Sequence, residues 1–136
     1  MRLLAAHDRS EQELRRRLST RGASTGVIDA TITRLQQLGY LDDRRFAHGA
    51  AEQAVRRGHG SERVRATLAA QGVADDLIDA AINAAFDDET ALARQVLARR
   101  YPIAPQHPAE RARAARYLLR RGFPEVIVLA IVGEGC

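Results

Sequence analysis

The 136-residue sequence contains no lysine, no tryptophan and only six aromatic residues. A core without Trp must be packed mainly by Ala, Leu, Val and Ile. Such side chains suit helices in close contact better than an aromatic-rich sandwich of strands. With no Lys, every basic side chain is a guanidinium, a fork that holds carboxylate or phosphate bidentately. The one cysteine is the last residue, Cys136, which excludes an internal disulfide. No apolar run is long enough to span a bilayer. The opening "MRLLAAHD" is too short, and too soon charged, for a signal peptide. A reduced, cytoplasmic protein with no membrane contact is expected. Period-two alternation is absent as well, so strands are not expected.

What is present is charge, unevenly spread. Residues 1–60 carry 11 Arg against 7 acids, residues 61–105 carry 5 against 7, and residues 106–136 carry 5 against 3. A basic front, an acidic middle and a basic tail fit a surface that meets a mixed-charge partner, with nucleic acid nearby.

An internal repeat organises the chain. Gly22, Gly72 and Gly122 stand in one column, 50 residues apart. Leu18, Leu68 and Leu118 precede them by four; Ala30, Ala80 and Ala130 follow by eight. Each unit reads as a helix, a glycine stop, a short turn and a second helix. Periodicity and caps predict helices at about 10–21, 24–38, 43–57, 62–71, 75–86, 88–100, 109–121 and 124–132, with a leading turn in 1–8. Phe46, Ala50 and Ala54 are expected to face inward on the third, and Ser61 to open the fourth. The fold class is therefore all-α, with tandem three-helix repeats stacked into an elongated, curved array. One repeat domain is expected over 1–136: units at about 9–58 and 59–101, a proline-rich linker at 101–108, and an incomplete third unit at about 109–136.

The stretch "LGYLDDRRFA" at 38–47 reads as a structural corner. Gly39 takes the left-handed conformation that ends a helix, and Tyr40 folds back on Leu35. Asp42 caps the next helix, Asp43 lies in its first turn, and Leu41 with Phe46 has the spacing of a hydrophobic staple.

Three basic constellations are candidate partner contacts. Arg15, Arg16 and Arg17, with Arg21, form the densest run. Arg56, Arg57, Arg63 and Arg65 flank a Gly-His-Gly turn with His59 at its tip, where the glycines allow close approach. Arg113, Arg116 and Arg120 share one face of a helix. Each also reads as a solvated, solubilising face. Protonated His59 would add charge below neutral pH. The four histidines stand singly and no cysteine joins them, so no metal site and no cofactor is expected. No nucleophile–base pair or phosphate loop is visible, which argues against an enzyme.

Four blocks resemble the RecX family of bacterial regulators of the recombinase RecA: "RSEQELRRRLSTRG" at 9–22, "LGYLDDRRFA" at 38–47, "RRGHGSERVRATLAAQGV" at 56–73 and "RRGFPEVIV" at 120–128. The resemblance covers essentially the whole chain. It implies a monomer that binds RecA filaments on single-stranded DNA, inhibits recombinase, ATPase and coprotease activities, and touches DNA itself only weakly and nonspecifically. The residues alone leave a second reading open: a DNA-binding protein with helix-turn-helix-like units.

Overall fold

The computed structural model describes residues 10–133. Those residues form eight helices and no strand: α1 (Glu11–Thr20), α2 (Thr25–Gln37), α3 (Asp43–Arg56), α4 (Ser61–Ala70), α5 (Asp75–Ala85), α6 (Glu89–Arg100), α7 (Pro108–Arg120) and α8 (Glu125–Val132). The turn expected in residues 1–8 lies outside the described residues. Four helices start on a side-chain acceptor. Ser10, Ser24, Asp42 and Asp88 take backbone N–H groups of the first turns of α1, α2, α3 and α6. Each such cap is worth about 1 kcal/mol. Ser61 is not a cap: Gly60 holds that position, and Ser61 is buried as the first helical residue.

Three hydrophobic cores divide the chain. Leu14, Ile28, Ile32 and Leu35 of α1 and α2 close over Leu41. Val64, Leu68, Ile78 and Ile82 pack with Ala47, Ala51 and Ala81, joining α3, α4 and α5. Ala93, Val96, Leu118, Phe123 and Val128 join α6, α7 and α8. The inward face of α3 is turned one residue from the expected one. Ala47 and Ala51 are fully covered, while Phe46, Ala50 and Ala54 are half-buried. Methyl side chains at 47, 51 and 81 let α3 and α5 approach closely, which leaves the bulkier Phe46 at the edge of the contact.

These cores run in a different phase from the 9–58, 59–101 and 109–136 frame. α3 belongs to the second core, the third unit has all three helices, and residues 101–107 connect α6 to α7 inside it. A period establishes the spacing of equivalent residues but not where a unit begins. The proline segment is tied at its start: Tyr101 meets Tyr117 edge-on at 6.4 Å, and the Arg100 guanidinium covers both rings.

At the corner, Gly39 has φ +77°, and the Tyr40 N–H donates to the Leu35 carbonyl at 2.9 Å. The backbone folds back as expected, but the Tyr40 side chain stays half-exposed; Leu41 enters the first core instead. Phe46 packs on the second core. The two residues expected to staple one helix are thus bolts into two neighbouring units.

One joint is used twice along the array. The Ser10 hydroxyl donates to the Gln71 carbonyl at 2.7 Å, and 50 residues on, the Gly60 N–H donates to the Arg121 carbonyl at 2.8 Å. An acid at the start of the next unit completes each: Asp43 accepts from the Glu11 N–H at 2.8 Å, Glu89 from the Ser61 N–H at 2.6 Å. These carboxylates satisfy helix N-termini in another unit, a role beyond first-turn charge. A Cβ at Gly60 would stand 2.5 Å from the Phe123 Cα and closer still to the Gly122 backbone. The units therefore stack in tandem as an elongated, curved array.

Burial raises the Asp43 carboxyl pKa, Glu11 and Asp42 add to the rise, and the hydrogen bond from the Glu11 N–H opposes it. A raised carboxylate loses stability as pH rises from its unfolded value through the folded one. Asp43→Asn keeps an acceptor oxygen without the charge. Relative to the parent, it should gain stability between about pH 4 and 7 in urea unfolding. An equal pH slope in both proteins would refute this. Asp43→Ala, which orphans the Glu11 N–H, should cost about 1 kcal/mol at the acid end of that range and less as pH rises.

Candidate partner-binding surface

The end of α3 and the start of α4 enclose a groove of about 230 Å³. Ala50, Ala54, Val64 and Leu68 form its apolar floor, and Arg57, His59 and Arg63 its basic rim. The turn is locally determined: the Gly58 N–H donates to Val55 O and the His59 N–H to Ala54 O at 2.8 Å, closing α3. Arginines at this helix C-terminus also complement its dipole. Arg56, Arg57 and Arg63 are exposed and make no ion pair among the described residues. His59 is half-buried. Burial, then Arg63, Arg121 and Arg57, hold its pKa below the usual histidine range. The charge of the groove at neutral pH is therefore guanidinium charge, and the expected addition from His59 is deferred to more acidic pH.

Beneath the rim, Arg121 donates through Nε to the Gly58 carbonyl at 3.2 Å and through Nη2 to the Arg57 carbonyl, while its guanidinium covers Tyr117. The turn that presents the groove is thereby held from the third unit. Arg121 is absent from the sequence-derived contact set. So is the joint acid Glu89, because acids 43 and 89 are 46 residues apart and fall out of the 50-residue register.

Arg65 and Arg15, expected among the contacts, are engaged elsewhere. Arg65 pairs with Asp79 at 2.7 Å; Arg15 pairs with Asp29 at 2.6 Å and Glu11 at 3.1 Å. The two pairs are equivalent, each tying together the last two helices of a unit. Carboxylate partners raise both arginine pKa values. The Arg65 pair is solvent-exposed at both ends and contributes under about 1 kcal/mol. Arg16 and Arg17 line a separate depression beside α1 with Thr20 and Arg21, where Arg17 lies 3.5 Å from Glu13. Arg113, Arg116 and Arg120 are exposed on α7. The candidate arginines thus fall on three surfaces, and the α3–α4 one surrounds a groove with an apolar floor. Among the described residues, no cluster of His, Cys, Asp and Glu suited to a metal ion occurs, and no helix is long and apolar enough to cross a membrane.

Comparison with known proteins gives a consistent result. Models of the first, second and third three-helix domains of RecX match residues 1–35, 42–82 and 87–128. The regulatory protein RecX of Chromohalobacter salexigens is 37% identical over 123 residues, covering 90% of this chain and 81% of that one. The regulatory protein RecX of Thermus thermophilus is 37% identical over 129 residues, covering 95% and 84%. The crystal structure of RecX from Lactobacillus salivarius superposes with a TM-score of 0.81 over 98% of this chain and 90% of that one, at 19% identity. At that identity the superposition speaks for the fold.

Proposed function

Because the chain belongs to the RecX family of regulatory proteins, we propose that it binds RecA filaments on single-stranded DNA and inhibits their recombinase, ATPase and coprotease activities. The observation that carries this reading is the twice-used joint. It makes three units one curved body, able to follow a helical groove and touch several protomers at once. Contacts on a single rigid body add without a separate entropy cost for each unit, so modest individual contacts suffice. The α3–α4 groove, with Arg57, His59 and Arg63 around its apolar floor and Arg56 next in sequence, is the central contact. Arg16, Arg17 and the α7 stripe of Arg113, Arg116 and Arg120 are auxiliary ones. The protein acts in the cytoplasm as a monomer, without a cofactor, and its own affinity for DNA is weak and nonspecific.

The test is the single-stranded-DNA-dependent ATPase of the cognate RecA with this protein titrated in. Inhibition is expected below one copy per recombinase protomer. No effect at excess, with the protein shown by circular dichroism to be helical, would sink the filament reading. Tight, sequence-dependent binding to naked duplex with a steep salt dependence would favour the DNA-binding alternative.

A further inference from the structure

The 50-residue register allows the three units to be compared position by position on one surface of the hairpin formed by the last two helices of each. In the first unit the positions are Arg15, Ser19, Gly26 and Asp29; in the second, Arg65, Ala69, Asp76 and Asp79. Both carry the ion pair that crosses between the helices. In the third they are Ala115, Leu119, Val126 and Leu129. The arginine and both acids have gone, and apolar side chains have replaced them.

This exchange is not required by packing. Leu119, Val126 and Leu129 are 44%, 74% and 57% exposed, and Val128 supplies the core contact of α8. The other two units fold with Asp29 and Asp79 in the place of Leu129, with Gly26 and Asp76 in that of Val126, and with Ser19 and Ala69 in that of Leu119. A helix apolar on both its inner and outer faces has a second surface to cover.

The rim indicates what covers it. Arg116 and Arg120 follow Ala115 and Leu119 by one residue on α7, along one edge of the strip, and both are exposed without an ion pair among the described residues. Glu125 precedes Val126 and is the acid nearest in sequence on α8. The rim is net basic, which sets like charge against like if a second copy docks. It complements an apolar ridge edged with carboxylates.

We propose that the α7–α8 hairpin is a docking strip for an amphipathic helix of a partner protein, with its apolar ridge on Leu119, Val126 and Leu129 and its acidic edge on Arg116 and Arg120. The strip is distinct from the basic groove. In α4 that groove is lined by Arg63, Val64, Thr67 and Leu68, whereas the strip's counterparts there are Arg65 and Ala69. The proposal goes beyond the filament reading and does not rest on it.

The probe is a labelled designed helix of about 16 residues, with leucines at i, i+3, i+4 and i+7 and glutamates along one edge. Its twin carries lysines in place of the glutamates. Both are titrated with the full chain by fluorescence anisotropy. The acidic helix should bind, and its twin should bind at least about tenfold more weakly. The triple variant Ala115→Arg/Val126→Asp/Leu129→Asp copies the second unit, ion pair included. It should retain its melting profile and lose at least about tenfold in affinity for the acidic helix. If the triple variant does not fold, Leu119→Gln alone takes its place, with a smaller loss expected. Equal binding of the two helices, or undiminished binding by a folded variant, overturns the proposal. So does a sedimenting dimer that the variant dissolves, because a second copy then covers the strip.

Discussion

Gly60→Ala is expected to destabilise the chain by about 3 kcal/mol, the upper end for overpacking by a single methyl group. Gly60 has φ −90°, which any residue adopts, so backbone conformation costs nothing here. The cost is spatial: a Cβ would meet the backbone of Gly122 and Phe123, which cannot rotate away as a side chain can. Two equivalent exchanges separate the causes. Gly22→Ala places its methyl in open space and should cost only the left-handed conformation, about 1–2 kcal/mol. Gly122→Ala combines a left-handed residue with a methyl against Arg63 and should exceed both. Urea unfolding by far-ultraviolet circular dichroism measures all three, since no Trp reports on the core. Gly60→Ala should also broaden the transition or split it in two, because the joint fails while the cores on either side persist. A single sharp transition at the midpoint of Gly22→Ala would refute the backbone contact as the origin of coupling between units.

Reversing Arg57 and Arg63 together to Glu should weaken inhibition of the recombinase by about 100-fold at low salt and leave the melting temperature nearly unchanged. Neither guanidinium holds an ion pair among the described residues, so little fold stability is at stake. The pair changes the rim by four charge units, and the deficit should shrink as salt screens it. Arg65→Glu is the poorer test, because it sets a carboxylate against Asp79 and confounds binding with packing. Double-variant potency within about threefold of the parent would move the contact away from this groove. The same reversal at Arg113 and Arg116 would then be the next variant to measure.

Much of this architecture was legible in the sequence, because helix periodicity and caps are local. Asp42 caps where it stands, and Gly39 ends its helix as its position implies. What resisted reading depends on contacts between distant residues. The phase of the units follows from α3 packing on α5, which no property of 43–56 alone reveals. Tyr40 and Leu41 are adjacent and both apolar in sequence; only the position of the first core selects Leu41. Of the candidate surface, the basic Gly-His-Gly turn was visible, and its apolar floor was not. The engagement of Arg15 and Arg65 did leave a trace: an Asp stands 14 residues after each, at 29 and 79. That trace is meaningful only once the turn between the two helices is known to bring those positions together.

The twice-used joint also has a consequence for the order of events during synthesis. Contacts inside a unit are local and form early, whereas each joint closes one loop of about thirty residues and one of about sixty. The Ser10 hydroxyl finds its acceptor only after Gln71 has left the ribosome, and the Glu11 N–H waits for Asp43. Each of the first two units is therefore born with one helix start unsatisfied and is completed by its successor. A nascent chain halted between two units should protect the core amides of the earlier unit from hydrogen exchange well before those at its own leading helix start. Maturation would then proceed as a wave travelling with translation, one joint behind the emerging chain.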